Sequence, residues 1–232
     1  MTALETRMIE FPINAHRAPG YLAQPADGQA HPGVVVIQEW WGLVPHIKDV
    51  AERLAREGFV ALAPDLYHGQ AAAEPDEARQ LAMALDANRA VQEIAAAARY
   101  LKKLDHVAPP KVGVVGWCMG GGLSLSTAAH HADLIGAAVA FYGRPLTASD
   151  AAKLHVPVLG LYAEHDHGIP VEAVQAFAAE MKKQRVPHEV HIYPGTSHAF
   201  FNDTRPQIYQ AAAAQAAWQK TLAWFRKYLV ED

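Results

Sequence analysis

VGVVGWCMGGGLSL, residues 112–125, decides how this chain is read. The first half is apolar and β-branched without alternation, the pattern of a strand buried on both faces. The second half is glycine followed by small and apolar residues that suit a helix from about Met119. Between them stands Cys118, the one cysteine of the sequence. Gly116-Trp117-Cys118-Met119-Gly120 is G-x-C-x-G, a tight strand-to-helix turn with a nucleophile at its tip, sulfur replacing the more usual hydroxyl. Glycine is needed two positions either side, because a side chain there would strike neighbouring backbone. The cysteine is expected in a strained conformation, with its sulfur at a helix N-terminus where the dipole favours thiolate. A small buried cysteine in a glycine-rich turn would look the same over five residues, so the surroundings must decide.

Outward from the turn, strands alternate with helices. Strands are expected at 33–38 (GVVVIQ), 59–65 (FVALAPD), 111–116 (KVGVVG), in IGAAVAFYG and VPVLGLYAEHD, and in HEVHIYPG. Helical spacing appears at Ile47, Val50, Ala51 and Leu54, with Gly58 placed to cap. It recurs at Val91, Ile94, Ala98 and Leu101 after Pro75, in VEAVQAFAAEMKKQ, and at Trp218, Leu222, Phe225 and Leu229. The segments RMIEFPI and GYLAQP predict an N-terminal hairpin. The stretch 69–78 reads as surface loop. The alternation predicts an α/β fold: a mostly parallel central sheet with helices on both faces, in one domain spanning 1–232.

A thiol nucleophile needs a base, and the base needs an orienting carboxylate. Asp166 follows the strand VPVLGLYAEHD, and His198 follows HEVHIYP. Both stand just past the carboxyl ends of strands, where open α/β sheets build their sites. Cys118, Asp166 and His198 are therefore the expected triad of nucleophile, acid and base. Ser124, Ser126 and Ser197 sit in no such turn. His165 and His167 flank the acid and are expected to hold its turn. They, with His130-His131, show no H-E-x-x-H spacing, so no metal and no other cofactor is expected. The glycines lack a P-loop lysine and a dinucleotide spacing.

The segments VIQEWWGL, APDLYHG, GWCMGGGLSL, FYG, AEHDHGIP and YPGTSHAF together resemble the dienelactone hydrolase (carboxymethylenebutenolidase) family of the α/β-hydrolase superfamily, over most of the chain. The resemblance implies a cysteine-dependent hydrolase of an enol-lactone or activated carboxylic ester. It implies that Glu39, in Q-E-x-x-G, faces the thiol and keeps it protonated until substrate arrives. The backbone N–H groups of Trp40 and Met119 would form the oxyanion hole. Tyr142 of FYG matches a pocket-lining position. Family members that act on dienelactone hold the substrate carboxylate with two arginines. Arg79 is the candidate for one; the place of the other, four residues after the histidine, holds Asn202, with Arg205 three further on. A broader carboxylesterase or thioesterase on the same triad is the rival reading. A non-catalytic ligand-binding protein of the same fold is a third, disfavoured because all three triad members are present.

Composition excludes other classes. Hydrophobic residues are 51% of the 232, charged residues 19%, and the net charge is −4. That supplies a sizeable core and no basic face for nucleic acid or an anionic membrane. One cysteine excludes an internal disulfide and a C-x-x-C motif. No run approaches the ~20 apolar residues of a membrane helix, and the N-terminus MTALETRMIEF lacks the apolar core of a signal peptide. A cytoplasmic protein is expected, a monomer rather than an oligomer, with a small-molecule ester or lactone as its partner.

Overall fold

The computed structural model describes residues 3–230; Met1, Thr2, Glu231 and Asp232 lie outside them. The N-terminal hairpin forms and is longer than its apolar segments suggest. β1 (Leu4–Ile13) pairs antiparallel with β2 (His16–Pro25), and β2 pairs antiparallel with β4 (Val60–Pro64). The continuous apolar runs become parallel strands: β3 (Gly33–Ile37), β5 (Val112–Trp117), β6 (Ile135–Phe141), β7 (Val158–His165) and β8 (His188–Ser197). The sheet has eight strands in the order β1-β2-β4-β3-β5-β6-β7-β8, with β4 and the five strands beyond it all parallel. Every residue of β3, β4, β5 and β6 is buried, which is why those segments carry no polar alternation. The edge strand β1 is mostly exposed and carries Glu5, Arg7 and Glu10, charges that discourage pairing with another chain.

Helices cover both faces. α3 (Ala87–Leu101) and α4 (Met119–His130) contribute to one apolar cluster; α1 (Pro45–Arg56) and α7 (Ala211–Leu229) contribute to the other. α1 shows how the sequence sets its limits. Pro45 opens it, Ile47, Val50, Ala51 and Leu54 are buried, and Arg53 and Arg56 sit in the last turn, where cations favour the dipole. It ends in a Schellman pair: Phe59 N–H donates to Leu54 O and Gly58 N–H to Ala55 O, each at 3.1 Å, with Gly58 at φ +87°. Burying one such leucine or isoleucine contributes roughly 1.5–3 kcal/mol. α6 (Val171–Lys183) packs beside β8.

Two elements depart from the sequence reading. The stretch 69–78 is loop only as far as Glu74; α2 (Pro75–Ala84) starts at Pro75, where Glu74 and Glu77 form a reciprocal cap, and Ala78 is fully buried. α5 (Ala148–Ala151), capped by Thr147, is one turn and too short to leave a periodic signal. No helix of the described residues is long and apolar enough to cross a membrane.

Candidate active site

The carboxyl ends of the six parallel strands converge. β3 delivers Glu39, β4 Tyr67, β5 Cys118, β6 Tyr142, β7 Asp166 and β8 His198. Cys118 is the N-cap of α4, at φ 55° and ψ −119°, the strained geometry that its turn demands. The flanking glycines are required by contact. A Cβ on Gly116 would lie 2.1 Å from Gly120 O, and one on Gly120 would lie 2.4 Å from Gln38 O. Gly121 and Gly143 meet as closely: a Cβ on Gly143 would stand 2.3 Å from the Gly121 carbonyl carbon. The start of α4 is thus pressed onto the ends of β3 and β6. Ser124 is buried and donates to Gly121 O and Val139 O, so its hydroxyl is structural.

Asp166 is buried, and its Oδ1 accepts N–H groups from Gly168 at 2.9 Å and Ile169 at 3.1 Å. Its Oδ2 accepts from His198 Nδ1 at 2.6 Å. Burial works against the Asp166 carboxylate, but the His198 hydrogen bond and the two backbone donors hold its pKa below the ordinary value. Burial also works against the His198 imidazolium. The Asp166 hydrogen bond, together with the neighbouring Cys118 sulfur, overcomes it and lifts His198 to about 10. The His198 ring packs on Tyr142, with centroids 4.9 Å apart. His165 and His167 do not hold the acid turn as expected. Both are exposed, and backbone N–H groups do that work.

Glu39 is 2% exposed. Asn202, also buried, donates Nδ2–H to Glu39 Oε2 at 2.7 Å, while Asn202 Oδ1 accepts from Thr204 N at 3.1 Å and Thr204 Oγ1 at 2.6 Å. Burial raises the Glu39 pKa against the pull of Asn202, His198 and Arg205. The Tyr142 hydroxyl is fully buried beside Glu39 and Cys118 but short of full hydrogen-bond geometry; burial, then the Glu39 charge, keeps it un-ionised. Tyr142 therefore stands between the triad and Glu39 rather than on an open wall.

Trp40 lies on the loop after β3, and Met119 opens α4 directly after Cys118. Among the described residues neither N–H donates to a backbone acceptor outside regular elements. Tyr67 joins them: its hydroxyl donates to Trp40 O at 3.1 Å and lies 3.7 Å from Met119 Sδ. Sequence reasoning missed Tyr67, although APDLYHG was among the segments that carried the resemblance.

The two arginine candidates part company. Arg79 is exposed on α2 and pairs with Asp76 at 3.1 Å. Arg205 lies over the Trp41 ring, 5.1 Å from its centroid, and acts on Glu39. It helps line a cavity of about 400 Å³ with Trp41, His46, Glu74, Asn202 and Thr204. A larger groove of about 580 Å³, between 144–148 and α6, shares only Gly168 and Ile169 with the acid turn. Among the described residues no group of three or more His, Cys, Asp and Glu side chains is placed to hold a metal ion.

Sheet order and the family match make the chain an α/β hydrolase acting on carboxylic esters. Residues 18–229 match the dienelactone hydrolase family, and the chain belongs to that family. It is 41% identical to Protein usf of Aquifex pyrophilus, over 96% of this chain and 99% of that one. It is 36% identical to an Aquifex aeolicus protein provisionally named carboxymethylenebutenolidase, over 96% and 99% of the two chains. A crystal structure from Klebsiella pneumoniae, provisionally named a dienelactone hydrolase, superposes with a TM-score of 0.89 at 29% identity, covering 97% of this chain and 100% of that one.

Proposed function

We propose that the protein works as one domain that cleaves an enol-lactone or activated carboxylic ester through an acyl-enzyme on Cys118. The observation that carries this is the buried Asp166 bonded at 2.6 Å to His198, with Cys118 at the strained turn near enough to help raise the His198 pKa. As substrate displaces Glu39, that carboxylate takes the thiol's proton, and the sulfur, paired with the His198 imidazolium, attacks the substrate carbonyl carbon. The carbonyl π pair moves to oxygen, and the N–H groups of Trp40 and Met119 receive that oxyanion. Collapse re-forms the carbonyl and breaks the bond to the leaving alkoxide or enolate, which takes the proton from His198. Water then attacks the thioester with His198 as base, releasing the carboxylic acid and restoring the thiol.

In this reading Glu39 gates the thiol, its buried charge opposing a second negative charge nearby. Asn202 is turned inward to Glu39, so a substrate carboxylate would meet Arg205 across the Trp41 cavity. Cys118→Ala tests the reading. It should abolish turnover of p-nitrophenyl acetate and leave the circular dichroism spectrum intact, and one equivalent of iodoacetamide should inactivate the parent. Turnover surviving in Cys118→Ala would remove the acyl-enzyme from the mechanism.

A further inference from the structure

Tyr67 is a buried polar side chain that the triad does not use, and its surroundings are built to aim it. β4 ends at Pro64, and the next five residues fold back on Asp65. Asp65 Oδ1 accepts Tyr67 N–H at 3.1 Å and its Oδ2 accepts Gly69 N–H at 2.7 Å. Gln38 Oε1, from the end of β3, accepts Leu66 N–H at 3.2 Å. His68 at φ 51° and Gly69 at φ 93° close the turn. Gln38, Asp65 and Tyr67 are all at most 5% exposed. This frame sends the phenol between the 38–44 loop and the start of α4. The ring packs on Gly42, where a Cβ would come within 3.3 Å of Tyr67 Cδ2. The hydroxyl reaches Trp40 O and Met119 Sδ, so it touches the two residues whose N–H groups point at the substrate oxygen in the acyl-enzyme reading.

We propose that Tyr67 is a positioning residue for the oxyanion site, pinning Trp40 of one loop to Met119 of the nucleophile turn so that their N–H groups converge. The inference rests on the Cys118 acyl-enzyme reading. The Trp40 donor belongs to an irregular loop, and the Met119 donor to a helix. Paired β3 and β5, with the start of α4 pressed onto the end of β3, bring the two donors near each other; the phenol adds a tie at the loop itself, three residues past the strand. Its hydroxyl stays a donor throughout, since burial, then the Cys118 charge, pushes its pKa up to about 12.

Tyr67→Phe keeps the ring and deletes the bridge. Losing an oxyanion donor outright costs ~10²–10³-fold in kcat, so misaiming one should cost about tenfold. The expected result with p-nitrophenyl acetate is a kcat about tenfold lower at a KM within about twofold. A trifluoromethyl ketone, to which the thiol adds to form a tetrahedral anion with no leaving group, should bind about tenfold more weakly. Iodoacetamide alkylation, which forms no oxyanion, should change by less than about twofold, as should the far-ultraviolet circular dichroism signal. A kcat within about twofold of the parent would overturn the proposal. So would a parallel fall in alkylation, which would place the effect at the thiol, or a loss confined to KM. Cys118→Ala, run alongside, separates the two failures. If it is inactive while Tyr67→Phe is fully active, only this inference falls. If it still turns over, the reading beneath it falls.

Discussion

Asp166→Asn isolates the charge that orders the site. It keeps the side-chain shape and an oxygen for the N–H groups of Gly168 and Ile169, but removes the negative charge facing His198 Nδ1 at 2.6 Å. With that influence gone, only the Cys118 sulfur opposes burial, and the His198 pKa should fall from about 10 toward its ordinary value. Turnover should drop ~10²–10⁴-fold, the range for loss of a positioned base. Stability should respond with a definite sign. His198 has a raised folded value, so its contribution is complete below about pH 6.5 and is lost as pH rises through about 10. Asp166 has a depressed folded value, so its contribution is complete above about pH 4 and is lost as pH falls through that lower value. The pair is therefore at full strength between about pH 4 and 6.5. Breaking a fully buried pair costs 3–5 kcal/mol. His198 is 38% exposed against 3% for Asp166, and solvent screening brings the figure to about 1–2 kcal/mol. At ~2–4 °C per kcal/mol for a chain of this size, Tm should fall by roughly 2–8 °C. Melting curves of parent and variant at pH 5, 7 and 9.5 provide the assay, with iodoacetamide rates over the same range. The gap in Tm should be widest at pH 5 and should narrow by pH 9.5. A gap that does not vary with pH, or superimposable alkylation profiles, would refute the reasoning.

Glu39→Gln should speed iodoacetamide alkylation at pH 7 while slowing turnover. Because burial raises the Glu39 pKa, the parent loses stability as pH climbs above about 4.5, so the variant's Tm should gain on the parent's from pH 4 to 7; identical alkylation rates and Tm profiles would leave Glu39 without a gating role. Arg205→Ala should raise KM for esters that carry a carboxylate about tenfold or more and leave p-nitrophenyl acetate within about twofold. Equal effects on both substrates would place Arg205 in packing against Trp41 rather than in recognition.

How much was legible in the sequence depends on the range of the forces involved. The buried strands were readable because burial on both faces leaves continuous apolar runs, as in Val34 to Ile37 and Val112 to Val115. Gly116 and Gly120 were readable because the close approach they permit is local to the turn. Asp166 and His198 were placed from their positions after strands, without any sight of the bond between them. Tyr67 was not found. What defines it is a hydroxyl reaching across the sheet to Trp40 and Met119, and a tyrosine at a strand end leaves the same trace whether it does that or not. His165 and His167 were given a role on adjacency alone, yet neighbours on a loop point different ways, and the acid turn is closed by backbone N–H groups that any sequence carries.

The change at position 202 is best understood together with 205. An arginine at 202 would bring a cation directly to a buried carboxylate and would be free to share it with substrate. Asn202 can neutralise nothing, so Glu39 is left with one strong hydrogen bond and its charge largely uncompensated. That is the condition under which a carboxyl group becomes a better proton acceptor, because its pKa moves upward. Arg205 then stands over Trp41, close enough to act on Glu39, and lines the cavity that Asn202 and Trp41 share. An anion entering that cavity would draw on Arg205 and weaken its hold on Glu39. On the acyl-enzyme proposal, the Glu39 pKa would rise further as the thiol gives up its proton, and substrate charge would be coupled to thiol activation through two residues that a one-for-one reading of position 202 treats as a loss.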